Sequence, residues 1–295
     1  MSKTIQEILA GKVNSGHDQP VKYMGTVEAY DKWAEVYDTD GNFLQKLDTI
    51  EMRALLPRFL DLVNAQSQAQ TPGQQLKIVD LGCGTGRNTI QLLNAISARQ
   101  TTPAALAAQV EVVGVDASPG MLEVARTAIQ SATANNGPGS EQEKVSLDVF
   151  DLLNPVSDAL LPASLQGSGA DGVISTLVLE HLPLKEFFEN ASAIMKIGTY
   201  FLVTNMHAEM GAISQAGFTD PQTGVKIRPT SYCHSIPEVL DAAKKVGFQV
   251  TNLVEGEDAG VSERAVDEHL SEVLGARAKK WVGVKVWFGV CFKKV

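Results

Sequence analysis

The stretch LKIVDLGCGTGRN, from Leu76 to Asn88, decides the fold. Its first six residues are mostly apolar, as in a strand that is buried on both faces of a parallel sheet. Glycines at 82, 84 and 86 follow at once, and an amphipathic segment over 88–98 begins just beyond them. Glycines let the backbone turn sharply and approach a ligand closely, and a helix start presents N–H donors without intrahelical partners. The stretch therefore predicts a strand, a glycine-rich turn and a helix that together form a ligand-binding loop.

The spacing of the glycines narrows the choice of ligand. A dinucleotide-binding loop reads G-x-G-x-x-G/A, with an acid about 20 residues further on for the ribose. Here the pattern is G-x-G-x-G with Asp80 before it, and the next acid that ends a predicted strand is Asp116, further along than that spacing requires. The sequence also lacks the G-x-x-x-x-G-K-[ST] loop of nucleoside triphosphatases. A nicotinamide-dependent dehydrogenase is therefore disfavoured, and a triphosphate-binding loop is excluded.

In these residues the chain resembles the class I S-adenosylmethionine-dependent methyltransferases, whose hallmark is an acid, then G-x-G-x-G, then an acid that ends the second strand. The resemblance implies that S-adenosylmethionine is the cofactor and S-adenosylhomocysteine the product. Carboxylates suit this ligand because they accept hydrogen bonds from its ammonium group and from its ribose hydroxyls. The cofactor-binding residues that the resemblance implies are Asp80, Gly82, Cys83, Gly84, Gly86, Asp116, Ala117, Met121, Asp151, Leu152 and Leu177.

The resemblance also implies the fold class, an α/β Rossmann-like three-layer sandwich. Its sheet is expected to have seven strands, mostly parallel with an antiparallel last strand, and a helical N-terminal cap. We expect an N-terminal arm and cap over 1–70 and a cofactor-binding domain over 71–295, with a substrate-covering insertion at about 205–232. Apolar runs predict strands over 110–115, 145–150, 172–178, 198–204, 248–254 and 281–295. A helix interrupted by Pro57 is predicted over 49–63, a linker over 65–75, and a charged surface helix over 255–278.

An aromatic segment ahead of the glycine loop predicts part of the acceptor site. The stretch EAYDKWAEVYD over 28–38 places Tyr30, Trp33 and either Val36 or Tyr37 on one face of a helix. Its pattern Y-D-x-x-A-x-x-Y-D is similar to a segment that caps the cofactor in many small-molecule members of the family, although the aromatic side chains could equally dock the helix onto the core. Further candidates follow the fourth and fifth strands, where Glu180 and Phe218 also lie. The predicted substrate residues are Tyr30, Trp33, Tyr37, His181, Met206, His207 and Met210, of which His181 and His207 are the candidate bases.

Composition limits the classes of partner. The chain has 295 residues and a net charge of −9, without a Lys/Arg-rich run. Because phosphate neutralisation supplies much of the affinity for nucleic acid, a DNA or RNA substrate is not expected. The three cysteines are far apart and show no metal-ligand spacing, which favours a reducing compartment and no metal site. The longest apolar stretch is too short to span a bilayer and no secretory signal is evident, so we expect a cytoplasmic protein without a membrane partner.

The sequence thus predicts a methyltransferase that transfers a methyl group to the sulfur, oxygen or nitrogen of a small molecule, a natural product or a xenobiotic. Its layout is similar to that of methyltransferases of fungal secondary metabolism. Catalysis would rest mainly on holding the reactants in line. The alternative is a protein that keeps this fold and its cofactor but transfers no methyl group, acting as a cyclisation catalyst or a binding module. The acceptor, the use of a base and the oligomeric state stay open.

Overall fold

The computed structural model describes residues 4–10, 21–70, 75–100, 109–134, 145–154, 161–167, 169–253 and 260–295. The helices are α1 (Ile5–Ala10), α2 (Thr26–Trp33), α3 (Phe43–Gln70), α4 (Arg87–Gln100), α5 (Pro119–Thr133), α6 (Leu184–Ala193), α7 (Ala208–Gly211), α8 (Ile236–Lys245) and α9 (Glu268–Leu274). The strands are β1 (Val21–Met24), β2 (Leu76–Leu81), β3 (Val110–Asp116), β4 (Val145–Val149), β5 (Ala170–Thr176), β6 (Met195–Met206), β7 (Phe218–Thr219), β8 (Lys226–Pro229), β9 (Phe248–Thr251), β10 (Val261–Ala265) and β11 (Lys285–Lys294). Short 3₁₀ helices include Ala34–Val36, Leu179–His181 and Ala276–Trp281.

The central sheet has the strand order β10-β11-β6-β5-β2-β3-β4, and β9 also pairs with β11. Strand β2 is parallel to both β3 and β5, whereas β11 is antiparallel to β6. Strands β9 and β10 pair with successive parts of β11, at Cys291–Lys294 and at Lys285–Val290. Eight strands therefore occupy seven positions across the sheet. The prediction of a mostly parallel sheet with an antiparallel last strand is confirmed, with one strand more than expected.

Helices cover both faces of the sheet, because the strands are apolar on both sides. Ile78 and Val79 are neighbours on β2 and point to opposite faces. Ile78 packs in a core with α3 and α4, and Val79 packs in a second core with α6 and α8. This arrangement is the expected three-layer sandwich.

Helix α3 differs from the prediction in length and continuity. It runs unbroken through Pro57, where an interruption was expected, and its last turns occupy residues 65–70 of the predicted linker. Proline removes one intrahelical hydrogen bond and normally kinks or ends a helix. Here the buried side chains of Leu56, Phe59 and Leu60 on both sides of the proline pack into the core. This burial offsets the lost hydrogen bond.

A second, three-stranded sheet joins two segments that the sequence did not connect. Strand β1, inside the predicted arm, pairs in parallel with β8, inside the predicted insertion. Strand β7 pairs with the other side of β8. These strands have two to four residues and carry no usable periodic pattern. The arm and the insertion thus form one small sheet, which lies beside the carboxyl ends of β5 and β6.

The prediction of a helix over 255–278 is correct only in part, because α9 is helical but a strand precedes it. Residues 260–278 contain β10 before α9, and residues 254–259 lie outside the described part of the chain. The sequence VSERA is polar and lacks the apolar alternation of a half-buried strand. It becomes a strand because it pairs with the free edge of β11, a tertiary contact that local sequence does not encode. In the described ranges, no helix has both the length and the apolar character needed to cross a membrane.

Candidate active site

The glycine loop connects β2 to α4, as predicted. Gly82, Gly84 and Gly86 all have positive φ angles, of 78°, 54° and 83°. A Cβ atom on Gly82 would lie 2.3 Å from a methyl carbon of Val178, whereas one on Gly84 would have no neighbour within 4 Å. The first glycine therefore permits close packing against the exit of β5. The second leaves open space beside the backbone, where a ligand can approach closely.

Asp116, at the end of β3, orients this loop. Its Oδ2 accepts a hydrogen bond from the Gly84 N–H at 2.9 Å, and its Oδ1 accepts one from the Ser118 N–H at 2.8 Å. Burial raises the pKa of the Asp116 carboxyl, and the two backbone donors act in the opposite direction. The Asp116 carboxylate thus joins the loop that follows β2 to the loop that follows β3. It also lines the adjacent pocket.

That pocket, which we call the cofactor pocket, lies at the carboxyl ends of β2, β3 and β5. Its wall includes most of the predicted cofactor residues: Gly82, Cys83, Gly84, Asp116, Ala117, Asp151, Leu152 and Leu177. The structure places Asp80, Gly86 and Met121 behind this wall. Met121 is buried in a small core with Trp33, and Gly86 packs closely against Ala125 of α5.

Asp80 is fully buried beneath the loop. Its Oδ2 accepts a hydrogen bond from Thr89 Oγ1 at 2.6 Å, and its Oδ1 has no partner among the described residues. Burial raises the pKa of Asp80 to about 7. The carboxyl therefore holds helix α4 through Thr89 and does not line the cofactor pocket.

The raised pKa of Asp80 predicts a pH dependence of stability. Between about pH 4 and pH 7 the native state binds a proton that the unfolded chain, with an aspartate pKa of about 3.9, has released. The free energy of unfolding should therefore fall as pH rises through this window, by about 1.4 kcal/mol for each unit of pKa difference. Asp80→Asn should remove most of this fall, so that urea unfolding at pH 5 and pH 8 differs less than in the wild type. Parallel pH dependences of the two proteins would show that Asp80 is not the group responsible.

Residues 26–38, which comprise α2, the following 3₁₀ helix and the two residues after it, form a cap over the cofactor pocket. Tyr30 and Tyr37 of this cap line the pocket. Two aspartates attach it to the loops below. Asp31 Oδ1 accepts hydrogen bonds from Ser118 Oγ at 2.5 Å and from the Gly120 N–H at 2.9 Å. Asp38 Oδ1 accepts one from Thr85 Oγ1 in the glycine loop, at 2.9 Å. Sequence reasoning gave these aspartates no role, although each directly follows a tyrosine of the quoted Y-D pattern.

Tyr30 and His181 form a hydrogen-bonded pair in the same region. The Tyr30 hydroxyl is 2.7 Å from His181 Nε2, and His181 Nδ1 is 3.1 Å from the carbonyl oxygen of Thr230. A carbonyl oxygen only accepts, so Nδ1 carries the proton and Nε2 accepts from the tyrosine. Glu180 Oε1 is 3.2 Å from the same Nε2. Burial raises the pKa of the Tyr30 hydroxyl well above its usual value.

A second cavity of about 620 Å³, which we call the acceptor cavity, adjoins the cofactor pocket. Tyr30, Tyr37 and Leu177 line both, so the two spaces meet at these side chains. Leu177 has a φ of 57°, a conformation that costs a residue other than glycine of order 1–3 kcal/mol and that clusters at functional sites. Four other residues considered as pocket walls also line the cavity, namely Trp33, Met206, Met210 and Phe218. The rings of Trp33 and Phe218 are stacked, with centroids 5.0 Å apart.

The structure places His207 outside both spaces, contrary to its expected role as a base. Its Nδ1 accepts a hydrogen bond from the Glu209 N–H, and its Nε2 is 2.8 Å from Glu263 Oε1. His207 therefore caps α7 and connects it to β10. Within the described ranges, no three His, Cys, Asp or Glu side chains are grouped closely enough to hold a metal ion.

The sheet order, the glycine loop and the acid that ends β3 are those of the S-adenosylmethionine-dependent methyltransferases. A family model described as a methyltransferase domain matches residues 72–247. An uncharacterized methyltransferase from Emericella nidulans is 52% identical to this chain, across 98% of the chain and 99% of the relative. The chain belongs to this methyltransferase family.

Several solved structures are similar to the chain at low identity. Magnesium protoporphyrin IX methyltransferase from Synechocystis PCC 6803, with bound S-adenosylhomocysteine, is 17% identical with a TM-score of 0.47, over 92% of this chain and 95% of that one. An S-adenosylmethionine-dependent methyltransferase from Mesorhizobium loti is 20% identical with a TM-score of 0.47, over 78% and 96%. The [4+2]-cyclase SpnF is 13% identical with a TM-score of 0.49, over 93% and 98%. At this level of similarity none of the three carries an argument about acceptor or reaction.

Proposed function

We propose that this enzyme transfers the methyl group of S-adenosylmethionine to a small molecule that binds in the acceptor cavity. The observation that carries the proposal is the junction at Tyr30, Tyr37 and Leu177, where an aromatic cavity of about 620 Å³ meets the cofactor pocket. This volume is in the range of sites that bind small molecules.

The residues of the cofactor pocket fit the cofactor. The open space beside Gly84 and the start of α4 suit its carboxylate, because backbone N–H groups there lack intrahelical partners. We assign the ribose hydroxyls to Asp116 and the adenine to Asp151 and Leu152, which line the same pocket. When bound, S-adenosylmethionine supplies a methyl group on a sulfonium, which is already electrophilic.

The main task of the protein is then to align the acceptor and exclude water. Holding two reactants in near-attack geometry contributes on the order of 7–11 kcal/mol. The cap supports this role because Asp31 and Asp38 fix it to the loops of the cofactor pocket, and because its tyrosines lie at the junction. The domain division and the covering insertion predicted from sequence stay part of this proposal.

We assign proton transfer from the acceptor to the Tyr30–His181 pair. Tyr30 lines both spaces, and the lone pair of His181 Nε2 accepts the hydrogen bond of its hydroxyl. A proton that reaches Nε2 gains Glu180 Oε1 as a charged partner, 3.2 Å away. A phenol or an amine needs such a base, whereas a thiol, with a pKa of about 8.5, ionises with little help.

The proposed function is tested by S-adenosylhomocysteine release with a panel of small thiols, phenols and amines. We expect turnover with one of these classes and a dependence on the base. His181→Gln should lower kcat for a phenol or an amine by about 10²-fold, in line with general-base catalysis, and should affect a thiol less.

His207→Gln is the matched control, because that histidine lies outside both spaces, and it should retain the wild-type rate. Loss of activity in both variants to the same degree would contradict the assignment of His181. Absence of release with every acceptor, while S-adenosylhomocysteine still binds, would contradict the methyl-transfer proposal.

A further inference from the structure

One end of the acceptor cavity is cationic. Lys226 of β8 lies in its wall together with Arg277 and Lys280, which belong to the 3₁₀ helix before β11. None of the three lines the cofactor pocket. Two segments that are remote in sequence thus converge on one end of the cavity. This convergence is notable in a chain whose net charge is −9.

These cations are poorly compensated by the protein. Among the described residues, no carboxylate lies within 4.0 Å of the charged nitrogens of Lys226, Arg277 or Lys280. Lys226 Nζ donates to the carbonyl oxygen of Gly217 at 3.3 Å, and Lys280 Nζ lies 5.2 Å from the centroid of the Trp281 ring. Neither contact supplies a negative charge.

Asp40 is the carboxylate that acts on this cluster. It lines the cavity, and Arg277 and Lys226 favour its charged form. Its two oxygens already accept hydrogen bonds at 2.9 Å, from Trp33 Nε1 and from the Asn42 N–H. This one carboxylate therefore acts on two of the three cations, Arg277 and Lys226, and has its own hydrogen-bond partners.

The half-buried position of Lys226 makes the imbalance costly. Burial lowers the pKa of the Lys226 ammonium, Arg228, Arg277 and Lys280 lower it further by repulsion, and Asp40 opposes them. Burying a charge without a counter-charge is unfavourable. An anion in the cavity would relieve this cost, and the guanidinium fork of Arg277 matches the geometry of a carboxylate.

Trp33 links the cationic residues to the junction with the cofactor pocket. The Trp33 ring is stacked on Phe218, and its centroid is 5.5 Å from that of Tyr30 at the junction. Trp33 also donates to Asp40 at the cationic end. An aromatic surface thus connects the two ends. A ligand that spans the cavity would place its apolar part along these rings.

We propose that Lys226, Arg277 and Lys280 form an anion subsite, and that the acceptor is a compact apolar molecule bearing a carboxylate remote from the atom that is methylated. This inference rests on the proposed function and names the acceptor class. The carboxylate is held for recognition and is not itself methylated, because the cations line only the acceptor cavity.

The test compares acids with their neutral esters. The probes are 4-mercaptobenzoate, 4-hydroxycinnamate and 4-aminobenzoate, each beside its methyl ester, titrated by calorimetry into the protein saturated with S-adenosylhomocysteine. We expect at least one acid to bind about tenfold or more tightly than its ester. In the double variant Lys226→Gln/Arg277→Gln this preference should largely vanish, with the affinity for S-adenosylhomocysteine unchanged as evidence of folding.

Lys185→Gln on α6 is the control, because that exposed lysine pairs with Glu189 on the surface and is not part of the cavity wall. It should keep the acid preference. Equal binding of acid and ester, binding of neither, or a preference that survives the double variant would overturn the anion subsite. Phenyl phosphate, used as a further probe, would overturn the carboxylate assignment if it bound more tightly than every acid.

Turnover by the same samples separates this inference from the proposed function. Acids that bind selectively but yield no S-adenosylhomocysteine, starting from S-adenosylmethionine, would support the subsite and contradict methyl transfer to this class. Esters that are methylated as efficiently as acids would support methyl transfer and contradict the subsite.

Discussion

Replacing Asp48 with alanine should lower the free energy of unfolding by about 3–5 kcal/mol, as expected when one partner of a buried charged network is removed. Asp48 lies on α3 and is 0% exposed. Its Oδ2 accepts hydrogen bonds from Arg87 Nη2 at 2.9 Å and from Asn88 Nδ2 at 2.8 Å. Its Oδ1 accepts from Thr204 Oγ1 at 2.6 Å and from Trp287 Nε1 at 2.9 Å.

The loss is large because four donors lose one acceptor together. The Asn88 and Trp287 side chains are buried, and a buried donor without a partner costs about 1–3 kcal/mol. Arg87 keeps some contact with solvent, since its side chain is 22% exposed, and so loses less. The carboxylate also joins α3 to the start of α4 and to two strands, so its removal weakens contacts between layers.

Asp61→Ala is the matched control on the same helix. Asp61 pairs with Arg99 at 2.7 Å, but its side chain is 67% exposed, and exposed pairs contribute about 0–1 kcal/mol. Urea unfolding of the two variants should therefore differ by several-fold in the change of unfolding free energy. Equal, small changes would mean that the layers are held by apolar packing alone.

Asp116→Ala should weaken the binding of S-adenosylhomocysteine by about 10- to 100-fold, because hydrogen bonds to a charged group contribute about 1.5–3 kcal/mol. The variant loses the acceptor that orients Gly84 and the proposed acceptor for the ribose hydroxyls. Calorimetry at fixed pH measures the change. Because only the ionised carboxylate accepts from both donors, and burial raises its pKa, wild-type affinity should also decline as pH falls into the acidic range.

Glu111→Gln provides the control for this second substitution. It lies on the same strand, β3, but its carboxylate faces Lys77 at 3.9 Å and not the cofactor pocket. Its affinity for S-adenosylhomocysteine should equal that of the wild type. If Asp116→Ala bound equally well, the ribose would have to lie against another residue.

Local sequence was sufficient to predict the glycine loop and the acid that ends β3. Gly82, Gly84 and Asp116 belong to short strand-to-helix turns in which residue type and backbone conformation are closely linked, and the structure confirms the loop. Residue type alone does not determine whether a side chain next to the loop points into the pocket or into the core. Asp80 and Met121 carry the expected residue types, yet the structure buries them away from the pocket wall.

Features built from remote segments could not be predicted. Strand β10 forms because an edge of β11 is free, and the sheet around β8 forms because two short segments meet. The same holds for Asp48, whose donors come from α4, β6 and β11, and for the cations of the acceptor cavity. In each case the partners lie far apart in the chain, so no local sequence pattern predicts that they make contact.

The pairing of β1 with β8 has a consequence for how the chain folds. Tyr23 and Arg228, which are partners in this register, are separated by 205 residues. Contacts of such long range raise the contact order. Closing the loop between them costs conformational entropy, and the few hydrogen bonds of a four-residue ladder offset this cost only after the strands have met. The glycine loop, by contrast, forms between neighbours in the chain. The fold therefore contains a glycine loop that forms between chain neighbours and, around the proposed acceptor cavity, a small sheet whose closure depends on strands about 205 residues apart.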